Sequence, residues 1–341
     1  MQALWINKFD FNGNTAAIIT WAEGVLQTGR RLHLVLTGVP PFLLPLYQKY
    51  LAKTGLKSSL NINRQQIQNL LFYRGFDLLH VFHPDLFLMA AELSRSFQIP
   101  WIAGYLSGED HPGLTCVHEA DTVTCSHSDA FQTLQRFFNP YRKTPLHLIP
   151  PGVKTGPPPD FSPPQQWSVL YAGPLENRQL APFLSLNEVI RSLDSWTCGV
   201  FSRQKPPRFS GNFHPWTPAF SKIIKDYTII AGHGYFLLQA LAAGKIALLL
   251  EERYAGIFSP LSRREQVPAL RAKLPVVKTG PAEDTDPREL LCRDLQMLCT
   301  DRAAKEKLQR DGWSYTRENH DIEIVAEKIR RLYSRLNKTA R

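Results

Sequence analysis

Cysteine is scarce in this sequence and does not occur in pairs. The 341 residues contain 5 cysteines, an odd number, and none of them forms the C-x-x-C spacing of a structural metal site. A scattered, odd set of cysteines argues against a disulfide framework, so we interpret them as reduced thiols that mostly fill the core. No metal site and no resident cofactor are expected.

A long apolar run is also missing. The most apolar strand-like run, residues 246–250, is far shorter than the roughly 20 residues that a membrane-spanning helix needs. Residues 1–8 have neither the basic segment nor the apolar segment of a secretory signal. We therefore predict a cytoplasmic protein, and its charge raises the alternative of peripheral attachment to the inner face of the membrane.

Acidic residues are absent from two stretches. No Asp or Glu lies between Glu23 and Asp77, none follows Glu327, and the formal net charge is +10. Such a distribution suits anionic lipid headgroups, phosphorylated ligands or nucleic acid, whereas a solvated basic face is the plain alternative. No nucleic-acid motif and no aromatic–basic stacking pattern accompanies the charge, so we predict no nucleic-acid partner.

Residues 39–57 lie within the first acid-free stretch and are apolar and basic together. A helix beginning near Leu46 would place Lys49 and Lys53 one turn apart, beside Tyr50 and Leu51. A basic amphipathic helix can lie on a membrane surface. Packing of the same helix on a sheet is the alternative.

Short apolar strands alternate with helical periodicity along the whole chain, which is typical of an α/β protein with parallel sheets. A chain of 341 residues exceeds the usual size of one core, and the proline-rich residues 150–164 cannot form a helix or an interior strand. We predict two doubly wound Rossmann-like domains facing a central cleft. The predicted boundaries are 1–155 for the first domain, 156–166 for the linker, 167–318 for the second domain, and 319–341 for a basic amphipathic C-terminal helix with the first domain as its candidate packing partner.

The stretch from Asp226 to Glu251 predicts the centre of the second domain. It contains a β-branched run, a Gly-His-Gly turn, a short helix with Gly244 after its end, and a buried strand. A glycine-rich turn that opens a helix after a parallel strand presents free N–H groups and a positive dipole end, which together bind phosphate. The alternative is that the glycines only permit the turn and bind no ligand. The Gly13-Asn14 turn before the first helix has the same two interpretations, a ligand site or turn geometry alone.

Several segments, in order along both domains, resemble glycosyltransferases of the GT-B class in family 4. Asp77–Pro84 is similar to the family motif D-v-v-H-x-H-x-P, Ala120–Ser126 to A-D-x-v-x-x-v-S, and His147–Val153 to v-I-P-N-G-V-D. In the second half, Val169–Gly173 resembles v-l-y-v-G-R-L and Leu238–Lys245 resembles L-E-A-M-A-C-G-K-P. The resemblance implies a GT-B fold in which a nucleotide-sugar donor binds the second domain and an acceptor binds the first.

The residues that match functional positions of the family depart from its pattern. Ala231 and Gln239 stand where the family has an acidic pair, Pro174 replaces an arginine, and Ser107 replaces a histidine. Glutamine still hydrogen-bonds a hydroxyl but carries no charge. Gly232–Tyr235 resembles the G-x-G-R turn of some relatives, with tyrosine in place of arginine.

The resemblance also implies the chemistry. Retaining transfer without a metal leaves negative charge on the departing phosphate, and cations with helix N–H groups stabilise it. Arg178 and Glu109 are the candidate catalytic residues, with Arg203 and Lys205 as further candidate cations. The candidate donor-side residues are Gly173, Gly232, His233, Gly234, Tyr235 and Gln239. The candidate acceptor-side residues are Gly13, Asn14, His83, Ser107 and Gly108.

The resulting function hypothesis is a retaining, metal-independent hexosyltransferase-type glycosyltransferase that acts on a lipid-linked or glycan acceptor, for example in cell-envelope glycan synthesis. The alternative is a catalytically inactive protein of the same fold that binds a nucleotide, a glycan or a partner enzyme. The departures at Ala231, Gln239, Pro174 and Ser107 keep that alternative open, because fold alone does not establish activity.

Overall fold

The computed structural model describes residues 1–11, 13–137, 144–161, 166–175, 179–260 and 286–339 of the chain. Within these residues the chain forms one parallel sheet and one mostly parallel sheet, both covered by helices, which confirms the predicted doubly wound α/β architecture. Among the described residues, no helix has the length and apolar character needed to cross a membrane.

The first sheet has seven strands in the order β3-β2-β1-β4-β5-β6-β7, all paired in parallel. Its order reverses beside β1, which creates a crevice at the carboxyl ends of the strands. The strands are β1 (Gln2–Lys8), β2 (Arg31–Thr37), β3 (Lys57–Leu60), β4 (Leu78–Val81), β5 (Trp101–Tyr105), β6 (Thr122–Cys125) and β7 (Leu146–Leu148). The helices between them are α1 (Asn14–Gln27), α2 (Leu44–Thr54), α3 (Arg64–Arg74), α4 (Phe87–Phe97) and α5 (Ser128–Phe137).

The second sheet has six strands in the order β10-β9-β8-β11-β12-β13, of which only the β12–β13 pair is antiparallel. Its order also reverses, here between β8 and β11. The strands are β8 (Ser168–Ala172), β9 (Thr197–Ser202), β10 (Asn212–Pro215), β11 (Ile229–Gly232), β12 (Ile246–Leu250) and β13 (Tyr254–Ile257). The helices are α6 (Leu180–Arg191), α7 (Phe220–Ile223), α8 (Tyr235–Ala242), α9 (Pro287–Thr300), α10 (Arg302–Asn319) and α11 (Ile322–Thr339).

The C-terminal helix α11 packs against α1 of the first domain. Gly24 of α1 permits this contact, because a Cβ at that position would lie 2.6 Å from Ile322 Cγ1. The Tyr333 hydroxyl lies 2.8 Å from His80 Nδ1 in the first sheet, and both side chains are buried. The final helix therefore belongs to the core of the first domain, although it follows the second domain in sequence.

The two domains also meet through aromatic rings, here called the interdomain aromatic cluster. It consists of Phe11 from the first domain and Phe201, Trp216, Phe220 and Phe236 from the second. The rings of Phe11 and Trp216 are 5.2 Å apart, and Trp216 stacks on Phe201 at 5.0 Å. The four rings from the second domain belong to one continuous buried core that includes strands of both sheets, and Phe11 packs against this core. Burial of so much apolar surface holds the domains together.

The proline-rich segment contacts the second domain where it is described. Pro159 packs under Gly244, where a Cβ would lie 2.2 Å from Pro159 Cγ. Gly244 has a φ of 68°, so it forms the left-handed residue after α8 that the sequence predicts. Residues 162–165 of the predicted linker lie outside the described residues.

Candidate functional site

The Gly-His-Gly turn (residues 232–234) connects β11 to α8 in conformations that require glycine. At Gly232 φ is 151°, and a Cβ would lie 2.3 Å from the carbonyl oxygen of Ala172 on the neighbouring strand. At Gly234 φ is 63° and ψ is −137°, a region that other residues rarely adopt. A Cβ on Gly234 would point into open space, with no atom within 4 Å. The start of α8 is therefore open to an approaching ligand.

His233 lies between the two glycines with its ring half-buried. Its Nδ1 is buried and has no hydrogen-bond partner in the described part of the chain. Burial lowers the pKa of His233, while the Glu251 carboxylate and the Leu250 carbonyl act in the opposite direction. The lowered pKa favours the neutral ring, whose buried Nδ1 is an unused hydrogen-bond acceptor in this conformation. Gly173, directly after β8, lies beside this ring, and a Cβ at that position would be in ordinary contact with His233 Cε1 at 3.7 Å.

Tyr235 points away from the turn. Its hydroxyl lies 2.8 Å from Thr20 Oγ1 and 3.0 Å from the carbonyl oxygen of Gly152, both in the first domain. The side chain is buried, which raises the pKa of its hydroxyl. Only the backbone of Tyr235 is therefore left for the predicted donor-side role, and the phenol bridges the two domains instead.

Gln239 lies one turn further along α8, beside the Tyr235 hydroxyl. Its Oε1 is buried without a hydrogen-bond partner. Ala231 is fully buried in the core of the second sheet, so a side chain at this position cannot reach a ligand. The Pro174 carbonyl accepts a hydrogen bond of 2.8 Å from the Tyr171 hydroxyl. Arg178, the candidate catalytic cation, lies outside the described residues.

A cavity of about 180 Å³, here called the carboxyl-edge cavity, opens at the carboxyl ends of the first sheet. It brings together four of the predicted site residues: Asn14, His83, Ser107 and Glu109. Asn7, Asp10, Tyr105, Asp110 and His111 also line it. The lining combines apolar side chains with carboxylate, hydroxyl and imidazole groups, a mixture that is usual for a small-molecule site.

Glu109 is held by its backbone and leaves its carboxylate exposed. Its N–H donates to Ser107 Oγ at 3.2 Å, and its carbonyl accepts from the Tyr105 hydroxyl. Thr133 fixes the preceding Gly108 by a 2.8 Å hydrogen bond to its carbonyl oxygen. In the described part of the chain, the Glu109 carboxylate has no hydrogen-bond or ion-pair partner. A fixed loop with a free carboxylate can accept a proton or a hydrogen bond from a substrate hydroxyl.

His83 has a defined tautomer. Its Nδ1 accepts a 3.2 Å hydrogen bond from the backbone N–H of Asp85, and burial lowers its pKa. The neutral ring therefore carries its hydrogen on Nε2. His83 can then donate a hydrogen bond to a ligand in the cavity, rather than act as a base.

Asp85 and Lys8 support the two histidines of the cavity, His83 and His111. Neither Asp85 nor Lys8 is among the site residues predicted from the sequence. Lys8 donates to the Asp85 carboxylate and is the largest cause of its lowered pKa. His111 Nε2 lies 3.1 Å from Asp85 Oδ1, while His111 Nδ1 accepts from the N–H of Gly113 at 3.0 Å. The position of Asp85 directly after the His-x-x-His-Pro strand end was the available signal.

Gly13 joins the two halves of the site. Its φ is 93°, and a Cβ would lie 3.2 Å from Tyr235 Cβ and 3.4 Å from Phe236 Cε2. The turn before α1 therefore packs directly on the start of α8, and the carboxyl-edge cavity begins at the next residue, Asn14.

The Arg203 guanidinium lies 5.1 Å from the Phe11 ring, at the edge of the interdomain aromatic cluster.

The candidate metal ligands do not cluster. No group of three or more His, Cys, Asp or Glu side chains is arranged to hold a metal ion among the residues that the structure describes.

Comparisons with known proteins identify the architecture. The sequence matches no protein-family model and no curated protein. The structure is similar to sucrose-phosphate synthase from Thermosynechococcus elongatus, with a TM-score of 0.67 and 14% identity over 99% of this chain and 100% of that one. The chain has the GT-B fold.

Other solved structures with the GT-B fold extend the comparison. Anabaena HepE in complex with UDP-glucose aligns with a TM-score of 0.67 and 10% identity, covering 98% of this chain and 100% of that one. A protein from Listeria monocytogenes described as a UDP-N-acetylglucosamine 2-epimerase aligns with a TM-score of 0.59 and 10% identity, covering 96% of this chain and 95% of that one.

Proposed function

We propose that the protein transfers a sugar from a nucleotide-sugar donor to an acceptor hydroxyl, with retention of configuration at the sugar. The observation that carries the proposal is the open Gly-His-Gly turn at the start of α8, next to a cavity of the facing domain that carboxylate, hydroxyl and imidazole groups help to line. The GT-B fold supports this assignment, and so does the UDP-glucose bound to Anabaena HepE. Because a GT-B epimerase is also similar, the assignment depends on the site rather than on the fold.

The donor diphosphate is proposed to bind at the start of α8. The exposed Gly234 leaves room for it, and the backbone N–H groups with the helix dipole favour negative charge there. As the bond between the sugar and the diphosphate breaks, charge grows on the departing phosphate, and the same groups stabilise it more strongly in the transition state. The resemblance to family 4 adds Arg178 as a cation for this charge, and Gln239 as a hydrogen-bonding group for the ribose.

The acceptor is proposed to bind in the carboxyl-edge cavity. The free carboxylate of Glu109 takes a hydrogen bond or a proton from the reacting hydroxyl, and His83 Nε2–H orients a second oxygen. The close packing of Gly13 on α8 supports a short distance between the acceptor and the donor sugar.

Transfer is proposed to need no resident metal, because helix N–H groups and basic side chains supply the positive charge. The test is activity after dialysis against EDTA. Retained activity supports the proposal, and recovery that requires added Mg²⁺ or Mn²⁺ contradicts it.

The experiment that tests the function has two stages. Calorimetric titration with UDP, GDP and ADP identifies the nucleotide, and incubation with the matching labelled nucleotide sugar and candidate acceptors then detects transfer. Transfer to an acceptor that is lost in Glu109→Gln supports the proposal. Epimerised or hydrolysed sugar without transfer to any acceptor contradicts it.

A second candidate function is nucleotide binding without turnover. Two residues that replace charged residues of the family favour it. Ala231 is buried in the core, and the Tyr235 hydroxyl hydrogen-bonds to the first domain. Neither residue supplies charge to the departing phosphate. Binding of one diphosphate without consumption of any nucleotide sugar would support this second candidate.

A membrane-proximal acceptor is proposed from the outer face of α2 and the turn before it. Phe42, Leu46, Lys49 and Lys53 follow one helical stripe and are all exposed, with Phe42 at 61% and Leu46 at 46%. Exposed apolar residues followed by lysines suit an anionic bilayer surface. Such binding would locate the protein peripherally at the inner face of the membrane.

Vesicle sedimentation tests this attachment. We expect salt-sensitive binding to vesicles with 30% phosphatidylglycerol, weakened by Phe42→Ser with Leu46→Ser. Leu184→Ser is the matched control, because Leu184 is also exposed, at 40%, but lies on α6 of the second domain. Equal binding by the α2 variant and the control variant would refute the attachment.

A further inference from the structure

A second cavity, here called the amino-edge cavity, opens at the opposite edge of the first sheet from the candidate active site. Its volume is about 540 Å³. Two lining residues lie at the start of β2: Arg31 is its first residue, and Arg30 precedes it. Two others lie before β4: Arg74 ends α3, and Asp77 immediately precedes the strand. The cavity therefore lies at the amino ends of the strands, whereas the proposed transfer site lies at their carboxyl ends.

Three arginines line this cavity without carboxylate partners. Among the residues that the structure describes, Arg30, Arg31 and Arg74 form no ion pair with Asp or Glu. The acidic side chain in the lining is Asp77, and its Oδ2 accepts a 2.6 Å hydrogen bond from the backbone N–H of Gln2. The cavity therefore has an excess of positive charge, which an anion can neutralise.

Neutral groups hold two of the arginines in place. The Arg30 Nη2 group donates a 3.0 Å hydrogen bond to Ser334 Oγ on α11. The Arg74 Nη1 group lies 3.2 Å from His33 Nδ1, and the other ring nitrogen, His33 Nε2, lies 2.9 Å from Ser59 Oγ. Because arginine is always a donor, His33 Nδ1 accepts and Nε2 carries the hydrogen.

His33 is buried and stays neutral in this position. Burial lowers its pKa to about 4, and the charges of Arg74 and Lys57 act in the same direction. The histidine orients the Arg74 guanidinium without cancelling its charge. Guanidinium groups that are already oriented lose less conformational entropy when they bind an anion.

We propose that the amino-edge cavity binds a phosphorylated ligand through Arg30, Arg31 and Arg74. Phosphate suits this arrangement because guanidinium groups bind its oxygens in pairs. The volume accommodates more than a single phosphate group, so a polyphosphate or a phosphorylated headgroup fits better than a lone ion. The site is separate from the proposed donor site, and its occupation does not depend on glycosyl transfer.

Calorimetry with sodium tripolyphosphate tests the site on the full chain. We expect binding that weakens at high salt, and a loss of one binding equivalent, or at least a tenfold weaker affinity, in the Arg31→Gln/Arg74→Gln variant. Ser334→Ala releases the hydrogen bond of Arg30 and should weaken binding to a smaller extent. Arg302→Gln is the matched control, because Arg302 is an exposed arginine paired with Glu306 on α10.

Vesicles of phosphatidylcholine with 20% phosphatidic acid distinguish a lipid headgroup from a free ligand. Binding of tripolyphosphate alone indicates a soluble phosphorylated ligand, and binding to the vesicles that needs Arg31 and Arg74 indicates a headgroup. Tripolyphosphate binding and vesicle binding that are both unchanged in the double variant overturn the proposal, as does an absence of binding to both probes by the native protein. UDP binding is measured in parallel and should be the same in every variant, so that this result and the test of the transfer function remain separate.

Discussion

Replacement of Gly234 by alanine tests whether a ligand occupies the open space at the start of α8. Gly234 adopts a φ of 63° and a ψ of −137°, where a residue with a Cβ loses about 1–3 kcal/mol of stability. A Cβ there contacts no protein atom, so the substitution causes no clash within the fold. The added methyl group instead enters the space proposed for the donor diphosphate.

The effect on binding should therefore exceed the effect on folding. If the methyl group displaces the diphosphate or tilts the first N–H groups of α8, we expect UDP to bind at least tenfold more weakly, which corresponds to about 1.4 kcal/mol. The assay is calorimetric titration with UDP, with guanidinium unfolding of the same samples to measure stability.

Gly55 supplies the matched control. It follows α2, has a φ of 73°, and a Cβ on it would also contact no atom within 4 Å. Gly55→Ala should lose stability through its left-handed backbone and keep its affinity for UDP. Gly232→Ala is unsuitable for comparison, because its Cβ would collide with Ala172 O at 2.3 Å. Equal UDP affinity in Gly234→Ala, Gly55→Ala and the native protein would refute a donor site at this turn.

Three further predictions concern single side chains. Tyr235→Phe leaves the buried Gly152 carbonyl without the phenol and should lower the free energy of unfolding by about 1–2 kcal/mol, measured by guanidinium titration, with UDP affinity unchanged. Glu109→Gln should reduce the rate of transfer about 100-fold or more without weakening UDP binding, measured by product formation and calorimetry. Burial lowers the pKa of His80 to about 3, below its unfolded value of 6.5, so its contribution to stability is present above pH 6.5 and is lost as the pH falls toward 3, by about 1.4 kcal/mol per pH unit.

Each of these predictions has its own control. Tyr73→Phe changes an exposed tyrosine, at 79%, and should leave stability unchanged; a similar loss in both variants would contradict the role of Tyr235. Asp110→Asn changes a neighbouring carboxylate that pairs with Arg136, and equal activity loss in both variants would count against Glu109. His80→Gln removes the titrating group, and an unchanged slope of stability between pH 6.5 and 4 would contradict the effect of His80.

The alternation of strands and helices could be predicted from the sequence because most strands are short, buried and apolar. The β3 strand was not recognised, since Lys57, Ser58 and Ser59 are polar residues on an edge strand whose position is set by pairing with β2. Helix α10 extends from Arg302 to Asn319. Its later part packs on α8, where a Cβ on Gly312 would lie 2.7 Å from Leu241 Cδ2, a contact that local periodicity does not reveal.

The candidate site was predictable where backbone geometry demands a residue type. Gly232 and Gly234 have positive φ values, as a turn of this kind requires. The position of Tyr235 was not predictable, because its hydroxyl contacts Thr20 and Gly152 from the other domain. Contacts between residues that are distant in sequence depend on how the domains meet, and a single sequence does not contain that information.

The interdomain aromatic cluster has a consequence for how the chain folds. Trp216 belongs to one continuous core that includes strands of both sheets, Phe11 packs against it, and α11 crosses back from the second domain to complete the first. Neither half therefore buries all of its apolar surface alone. We expect a single cooperative unfolding transition for the whole chain, and we expect a fragment that ends at the linker to be insoluble when it is produced by itself.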